Sequence, residues 1–204
     1  MPALSDKSIL QLLRSKEMIV HPILDPKQIS GGRIDLRLDN VLYFIKRVEK
    51  PFYDPMDHIE PEKEPELYVE EQIRPYGDRI VLHPGDYALA PLFEFVRIPT
   101  NIIGRLDGRS SLGRLGVVVH STAGSVDPGY SGPLIMELMN HGMLPVGLYP
   151  LMRIATLMLL KLTDHVDKYK GKYGSIAPHF GVQSKLHKDL DLKIIRTAKN
   201  KFYL

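Results

Sequence analysis

The sequence predicts a mainly β fold, a sandwich or jelly roll with a short N-terminal helix and a few helical turns. From residue 79 onward, short apolar or alternating segments recur, and turn residues separate them at a spacing of roughly ten residues, as in sandwiches and jelly rolls. The chain has 204 residues, of which 44% are hydrophobic and 25% are charged. These values are ordinary for one globular domain, or for one domain with appendages.

The first two predicted elements are a helix and a strand. Residues 5–16 (SDKSILQLLRSK) place apolar side chains on one helical face, and Ser5 is the candidate N-cap. That face consists of Ile9, Leu10, Leu12 and Leu13. Residues 34–44 (IDLRLDNVLYF) alternate apolar and polar side chains over their first half. Alternation with a period of two indicates a half-buried strand, so one strand is expected here.

Residues 49–78 interrupt this pattern. They are rich in acidic residues, contain five prolines and show little periodicity. Such a segment is typical of a long surface excursion, and a short strand is expected at residues 66–69. A solvated loop explains the segment without any function. A lid, or an arm that contacts another subunit, is the alternative.

Seven strands are expected in the rest of the β region. They are residues 79–82, 87–92, 94–98, 117–120, 134–139, 146–148 and 154–162. Residues 1–163 are therefore assigned to a single β domain that includes the excursion. Residues 164–204 form a basic C-terminal segment, in which 169–174 read as a loop and 186–204 as a short helix or a frayed tail.

The composition excludes several classes of protein. The chain has no cysteine, which excludes disulfides, thiolate nucleophiles and thiolate zinc sites and fits a cytoplasmic location. The eight histidines lack metal-binding spacing. A net charge of +3 is too small to indicate nucleic acid as a partner. No signal peptide and no apolar run long enough to span a membrane is visible.

Polar residues concentrate between residues 108 and 140, among apolar runs that read as buried strands. Residues 108–116 (GRSSLGRLG) contain Arg109 and Arg114, whose guanidinium groups can bind phosphate in a bidentate manner. The hydroxyls of Ser110 and Ser111 and adjacent backbone amides can complete such a cradle. A capped helical turn whose arginines pair with acidic side chains at the surface is the structural alternative.

Two acidic residues in the same region could act on a bound molecule. Asp127 precedes a Pro-Gly pair, so it either starts a turn through an Asx bond or serves a ligand. Glu137 stands in an otherwise apolar strand. A carboxyl group in such a strand is either paired with a cation, here perhaps Arg114, or functional. Burial of a carboxyl group raises its pKa, which suits a group that exchanges protons near neutral pH.

The segment LDGRSSLGRLGVVVHSTAGSVDPGYSGPLIMEL resembles the dCTP deaminases of the dUTPase-like superfamily, including bifunctional dCTP deaminase/dUTPases. Further matches are IDLRL from Ile34, the His-Pro-Gly turn at residues 83–85 and the SDxxI start of the N-terminal helix. The resemblance covers most of residues 1–163. It implies a distorted jelly roll of the dUTPase-like β-clip type. It also implies a homotrimer with active sites between subunits, and a basic lid and tail at residues 164–204.

The resemblance also implies roles for individual residues. Glu137 looks like the general base and acid of dCTP deamination, Ser110 and Arg114 like residues that position the water, and Asp127 like the contact to the 3′-hydroxyl. In the dUTPase reaction, the residue that corresponds to Asp127 helps to orient the water that attacks the α-phosphate. The residues expected to bind nucleotide are Arg109, Ser110, Ser111, Leu112, Gly113, Arg114, Ala123, Asp127, Ile135, Met136, Glu137, Lys168 and Lys172.

The expected cofactor is Mg²⁺ bound through the triphosphate, with no metal ligand from protein side chains and no zinc. The expected substrate is dCTP, and dTTP is a candidate feedback inhibitor. Departures from the family pattern affect the phosphate lid: a loop after residue 164 is shortened, Lys172 replaces a glutamine, and Thr156 replaces another.

The first expectation for the activity is deamination of dCTP to dUTP and ammonia. Gly124 is the form associated with bifunctional members, so formation of dUMP and diphosphate is the alternative, and a dUTPase is a further one. A non-catalytic nucleotide-binding relative, and a structural trimer whose polar networks mimic a site, remain as rival classes.

Overall fold

A computed structural model describes residues 2–46, 52–58, 69–171, 173 and 185–189. The described residues form thirteen β-strands and two short α-helices, besides several 3-10 turns. The prediction of a mainly β fold is therefore confirmed. Helix α1 (Asp6–Arg14) begins where expected, since the Ser5 hydroxyl caps it by accepting a hydrogen bond from the Ser8 amide at 3.4 Å.

The larger sheet is antiparallel and has the strand order β5-β4-β7-β11-β9, with β1 paired to the end of β7. Its strands are β1 (Ile19–His21), β4 (Val41–Ile45), β5 (Val69–Ile73), β7 (Tyr87–Arg97), β9 (Val117–Val118) and β11 (Ser131–Asn140). The long central pair, β7 and β11, has one register shift between Pro133 and Ile135.

The second sheet is also antiparallel and has the order β10-β8-β13-β3-β2. Its strands are β2 (Ile29–Ser30), β3 (Arg33–Arg37), β8 (Ile102–Gly108), β10 (Ser125–Val126) and β13 (Arg153–Lys161). A separate two-stranded antiparallel sheet consists of β6 (Ile80–Leu82) and β12 (Val146–Leu148). Helix α2 (Ser110–Gly113) follows β8.

One apolar core joins the two sheets. Alternate residues of β11 are buried, which is the pattern of a strand with one face against a core. Leu92 and Leu138 of the first sheet belong to the same buried cluster as Leu36 and Leu157 of the second. Burial at roughly 25 cal/mol per Å² of apolar surface makes this cluster the main source of stability.

The structure corrects several predicted boundaries. The predicted strand 34–44 is two strands in different sheets, because the chain turns at Asp39, whose carboxylate accepts a hydrogen bond from the Asn40 amide at 2.7 Å. The predicted strands 87–92 and 94–98 are one strand, β7. Strand β8 was not predicted at all. In helix α1, Leu10 is 38% exposed and does not share the buried face of Ile9.

The C-terminal segment returns to the β domain. The Val166 amide donates to the Thr100 carbonyl at 3.0 Å, and the Tyr169 amide donates to the Pro128 carbonyl at 3.1 Å. Residues 52–58 and 69–78 of the acidic excursion are described, and the predicted strand at 66–69 is represented by its last residue, Val69, in β5. Lys172 lies outside the described residues.

Candidate active site

Helix α2 presents polar residues on the surface of the β domain. Arg109 is its N-cap, in an extended conformation, and Leu112 anchors the turn because its side chain is buried in the core. Ser110, Ser111 and Arg114 are exposed. The predicted helical turn is therefore present, and a nucleotide could touch Leu112 only through its backbone.

A close backbone contact ties the chain after α2 to the end of β11. Gly116 has a φ of +84°, and a Cβ added there would collide with the backbone of Gly142. A Cβ on Gly142 would in turn collide with the Leu115 carbonyl oxygen. The His141 amide donates to the Gly116 carbonyl at 2.8 Å. Helix α2 is thereby fixed to the strand that contains Glu137.

Arg109 pairs with a buried carboxylate. Its Nη1 lies 2.6 Å from Oδ1 of Asp35, and Nη1 of Arg153 donates to Oδ2 of the same residue at 3.0 Å. Asp35 is in β3 and is only 7% exposed. An acidic partner for Arg109 was the structural alternative in the sequence, although the expected partner was a surface acid.

Glu137 stands on the partly exposed face of β11. Its Oε2 accepts a hydrogen bond from the Ser121 amide at 2.8 Å, and its own amide donates to the Val119 carbonyl at 3.1 Å. Among the described residues, no ion pair joins it to Arg114 or to any other cation. The salt-bridge alternative for Glu137 thus finds no support in the described part of the chain.

The loop beside Glu137 packs closely against His120. A Cβ on Gly124 would meet Cε1 of His120 at 3.1 Å and the Leu106 carbonyl oxygen at 3.3 Å. The Leu106 amide donates to the Gly124 carbonyl at 2.7 Å. Nδ1 of His120 is buried and has no hydrogen-bond partner in the described structure. A larger residue at position 124 would therefore displace either the histidine ring or the loop.

Asp127 begins a tight turn through its backbone. The Tyr130 amide donates to the Asp127 carbonyl at 3.0 Å, and Gly129 has a φ of +77°. Proline followed by a residue with positive φ is the pattern of a type II turn. The exposed carboxylate makes no hydrogen bond to the described part of the chain. The turn does not need this carboxylate, which leaves it available for a ligand.

The C-terminal segment brings a lysine to this turn. A Cβ on Gly129 would meet Cγ of Lys168 at 2.8 Å and its Cα at 3.0 Å. The rings of Tyr130 and Tyr169 lie 5.6 Å apart. Burial, and then the neighbouring Tyr169, raise the pKa of Tyr130 to about 12. An exposed lysine and an exposed aspartate thus flank one rigid turn.

The expected site residues form two groups in one chain. The first group consists of Ala123 and Asp127 in the loop and turn before β11, Glu137 within β11, and Lys168, which the C-terminal segment brings to the turn. The second group, Arg109 to Arg114, lies at α2. Among the described residues, no hydrogen bond or ion pair joins the two groups. Backbone groups alternate along a strand, so those of Ile135 share the Glu137 edge that faces away from β7. The side chain of Met136 is in the core.

Sequence reasoning missed several residues of this region. Asp35 meets both Arg109 and Arg153 because β3 and β8 both flank β13. Tyr87 of β7 lies opposite Met139 of β11, two residues from Glu137. Burial, and then the Glu137 charge, raise the pKa of its phenol. The Ser121 contact is made by a backbone amide. The IDLRL match was a sequence signal for Asp35. No sequence signal pointed to Arg153, Tyr87 or the Ser121 amide.

The sequence profile of the dCTP deaminase-like family matches residues 3–162. The chain belongs to this family. A relative from Methanobrevibacter smithii, named "dCTP deaminase, dUMP-forming", is 39% identical over 167 residues, which are 82% of this chain and 84% of the relative. A Haloarcula marismortui protein named "dCTP deaminase" is 42% identical over 176 residues, which are 84% of this chain and 87% of the relative.

A solved structure agrees with the family assignment at the level of fold. The 2′-deoxycytidine 5′-triphosphate deaminase from Agrobacterium tumefaciens superposes with a TM-score of 0.60 at 20% identity. The match covers 77% of this chain and 47% of that one. The likeness confirms the distorted jelly roll of the dUTPase-like β-clip type.

The described ranges contain neither a metal-binding cluster nor a membrane-spanning helix. In the part of the chain that the structure describes, no three histidine, aspartate or glutamate residues are grouped so that they could hold a metal ion. Nor does any described helix have the length and apolar character that a membrane span requires.

Proposed function

We propose that this chain deaminates dCTP hydrolytically and carries the nucleotide on to dUMP and diphosphate. The observation that carries the proposal is Glu137, a carboxylate fixed by one amide and paired with no cation in the described structure. It stands in the strand that directly follows the Asp127 turn. The family membership supports the choice of dCTP. The names of relatives 35–41% identical support dUMP as the product, rather than the dUTP first expected from the sequence.

In the deamination step, Glu137 acts as the general base and then as the general acid. Its carboxylate removes a proton from a water molecule, whose oxygen attacks C4 of cytosine, and delivers that proton to N3. It then takes the second proton from the new hydroxyl on C4 and delivers it to the amine, so that the C4–N bond breaks as the C4=O bond forms. Ammonia leaves and uracil remains. The Ser121 amide keeps one carboxylate oxygen in place, so the other can accept the proton from water.

The recognition of cytosine falls to the edge of β11 near Glu137. The backbone N–H and C=O of Ile135 lie on this edge and can pair with the polar edge of a base. Met136 connects Ile135 to Glu137 through its backbone, and its side chain is buried in the core. Ala123, exposed in the loop, offers its carbonyl to the attacking water.

The second step breaks the bond between the α- and β-phosphates. The uncommitted carboxylate of Asp127 can orient a water for attack on the α-phosphate, and diphosphate is the leaving group. Arg109, Lys168 and Lys172 supply positive charge for the phosphates, with the hydroxyls of Ser110 and Ser111 as further donors. The Gly113 amide is not among these donors, because it already donates to the Arg109 carbonyl at 3.0 Å. Because Gly124 has no side chain, the loop can pass close to His120, and a larger residue at this position would obstruct it.

Magnesium fits this site as a companion of the nucleotide. The described residues offer no cluster of carboxylates for a protein-bound ion. They do offer cationic and hydroxyl groups that can hold phosphate oxygens. Mg²⁺ is commonly bound by substrate phosphates and waters with few protein ligands. When bound, it supplies charge neutralisation on the triphosphate.

A homotrimer would unite the two groups of residues that one chain keeps apart. Ser110 and Arg114 are exposed at α2 and make no described contact with Glu137. If α2 of one subunit faces β11 of the next, these residues can hold the water of the neighbouring site. Light scattering at micromolar concentration should give three times the mass of the chain, and a monomer would contradict this arrangement.

The test of the activity is incubation with dCTP and Mg²⁺, followed by anion-exchange separation of the products. Direct appearance of dUMP and diphosphate with little free dUTP is the expected result. Accumulation of dUTP would support the second candidate, a deaminase that stops there, as the name of the Haloarcula relative suggests. Intact dCTP together with hydrolysis of added dUTP would mean a dUTPase and would remove the role given to Glu137.

A further inference from the structure

The geometry points to Asp35 as a positioning residue for the nucleotide phosphates, and to Arg153 as a second cation of the same site. No role had been assigned to either residue. The inference rests on the proposed function, because it assumes that Arg109 contacts phosphate. Asp35 acts through Arg109. Its carboxylate holds the Arg109 guanidinium in place, and the guanidinium keeps unused N–H donors for an anion.

The first support is the position of the carboxylate. Oδ1 of Asp35 contacts Arg109 at 2.6 Å, and Oδ2 contacts Arg153 at 3.0 Å. The side chain of Asp35 is 10% exposed, against 29% for Arg109 and 40% for Arg153. The carboxylate is thus the buried part of the cluster, and both cations extend from it toward solvent.

The second support is the charge of the cluster. One carboxylate is shared by two guanidinium groups, so the three side chains together have a net charge of +1. A buried carboxylate needs one good cationic partner, and Arg153 already provides it through a hydrogen bond. Each guanidinium has five N–H donors, of which a single carboxylate can use only some. The second cation and the unused donors make the cluster fit for an anion such as phosphate.

The third support is the rigidity of the strand that holds Asp35. The backbone carbonyl of Asp35 accepts a hydrogen bond from Nε2 of the buried Gln28 at 3.1 Å. Gln28 also donates to Oε1 of Glu94 at 2.9 Å, and the other Glu94 oxygen accepts from the Arg37 amide at 2.8 Å. A binding group is best held by elements that are themselves fixed by packing and hydrogen bonds.

The chain offers a matched control. Thr156 of β13 lies opposite Asp35 on one side and opposite Asp107 on the other, so the two aspartates occupy one row of the same sheet. Asp107 lies 3.6 Å from Arg105, and its side chain is 45% exposed. Like Asp35, Asp107 is therefore an aspartate in this row that is paired with an arginine. Unlike Asp35, it does not contact Arg109.

The experiment compares Asp35→Asn, Asp35→Glu, Arg153→Gln and Asp107→Asn for kcat and KM with dCTP. Loss of one charge-assisted contact corresponds to roughly tenfold in affinity. We therefore expect Asp35→Asn to raise KM about tenfold while kcat changes less than about twofold. Asp35→Glu should recover part of the loss. Asp107→Asn should change neither constant by more than about twofold.

Arg153→Gln keeps the proposal testable if Asp35→Asn does not fold. It leaves the Asp35–Arg109 pair intact and removes one positive charge, so KM should rise severalfold with kcat preserved. An unchanged KM in a folded Asp35→Asn or Arg153→Gln protein would overturn the inference. A lower KM in Asp35→Asn would also overturn it, because the carboxylate would then only repel phosphate.

A second measurement separates this inference from the proposed activity. Inorganic tripolyphosphate binding, measured by calorimetry, reports the phosphate site without deamination. If wild-type protein converts no dCTP, the proposed function fails, yet a weaker tripolyphosphate affinity in Asp35→Asn than in Asp107→Asn still supports the inference. Equal affinities in the two variants, or no binding to wild-type protein, would overturn it even if dCTP is deaminated.

Discussion

Replacement of Glu137 by glutamine gives the sharpest test of the proposed chemistry. The two side chains have nearly the same shape, but glutamine cannot take a proton from water. The rate of deamination should therefore fall by about a hundred- to ten-thousand-fold, the usual contribution of a general acid–base group. At 1.36 kcal/mol per factor of ten, this corresponds to about 3–5 kcal/mol of transition-state stabilisation.

The same change should have little effect on the fold. Oε2 of Glu137 accepts one hydrogen bond, from the Ser121 amide at 2.8 Å, and the glutamine carbonyl oxygen can accept it instead. A charge-assisted bond is about twice as strong as a neutral one, so the loss in folding free energy is about 1 kcal/mol. For a chain of this length, that is about 2–4 °C in Tm.

The assay is single-turnover conversion of dCTP, with Tm measured on the same samples. Glu17→Gln is a suitable control, because Glu17 is an exposed carboxylate that accepts one hydrogen bond, from the Ser15 hydroxyl at 3.0 Å. It should retain full activity. Unchanged deamination by Glu137→Gln would refute the reasoning, since no other group has been placed to move the proton.

Three further predictions concern stability. Gly104→Ala should cost about 1–3 kcal/mol in the free energy of unfolding, since the new Cβ would lie 2.9 Å from both Leu157 and Val126, and denaturant titration measures the loss. Burial raises the pKa of Glu94 above its ordinary 4.5, so the folded state retains a proton that the unfolded chain releases. The Tm of wild-type protein should thus fall relative to that of Glu94→Gln as the pH rises from 4.5 through the folded pKa. A difference in Tm that stays constant with pH would contradict the burial argument. Tyr130→Phe removes the hydroxyl bond of 2.7 Å to a carbonyl of β11 and should lower stability by about 1 kcal/mol, read from the midpoint of urea unfolding.

Strands with a complete apolar pattern could be predicted from the sequence, whereas β8 could not. Strands β11 and β13 were expected within three residues of their observed bounds, because most of their inward positions are large and apolar. In β8 (IIGRLDG), one inward position is Gly104, which interrupts the alternation of apolar side chains. Leu157 and Val126 fill the space that a side chain would occupy there, and local sequence does not reveal such a long-range contact.

The candidate site also has a part that could be predicted from the sequence and a part that could not. Arg109, Glu137 and Asp127 were expected from residue type and motif, and the structure places each of them on a defined turn or strand. The partner of Arg109 was expected at the surface and proved to be the buried Asp35. That contact depends on β3 and β8 lying on either side of β13, which is a property of sheet order rather than of spacing along the chain.

The contact between Gly116 and Gly142 limits how this protein can change. Most tight contacts in a core can be relieved by a smaller neighbouring side chain, so a substitution on one side can be compensated on the other. Here each added Cβ would meet backbone atoms, and no side-chain replacement can remove those. A larger residue at one of these two positions therefore cannot be compensated by a substitution at the other. A side chain at either position would therefore have to move the backbone that joins helix α2 to the end of β11, and with it the residues that α2 presents.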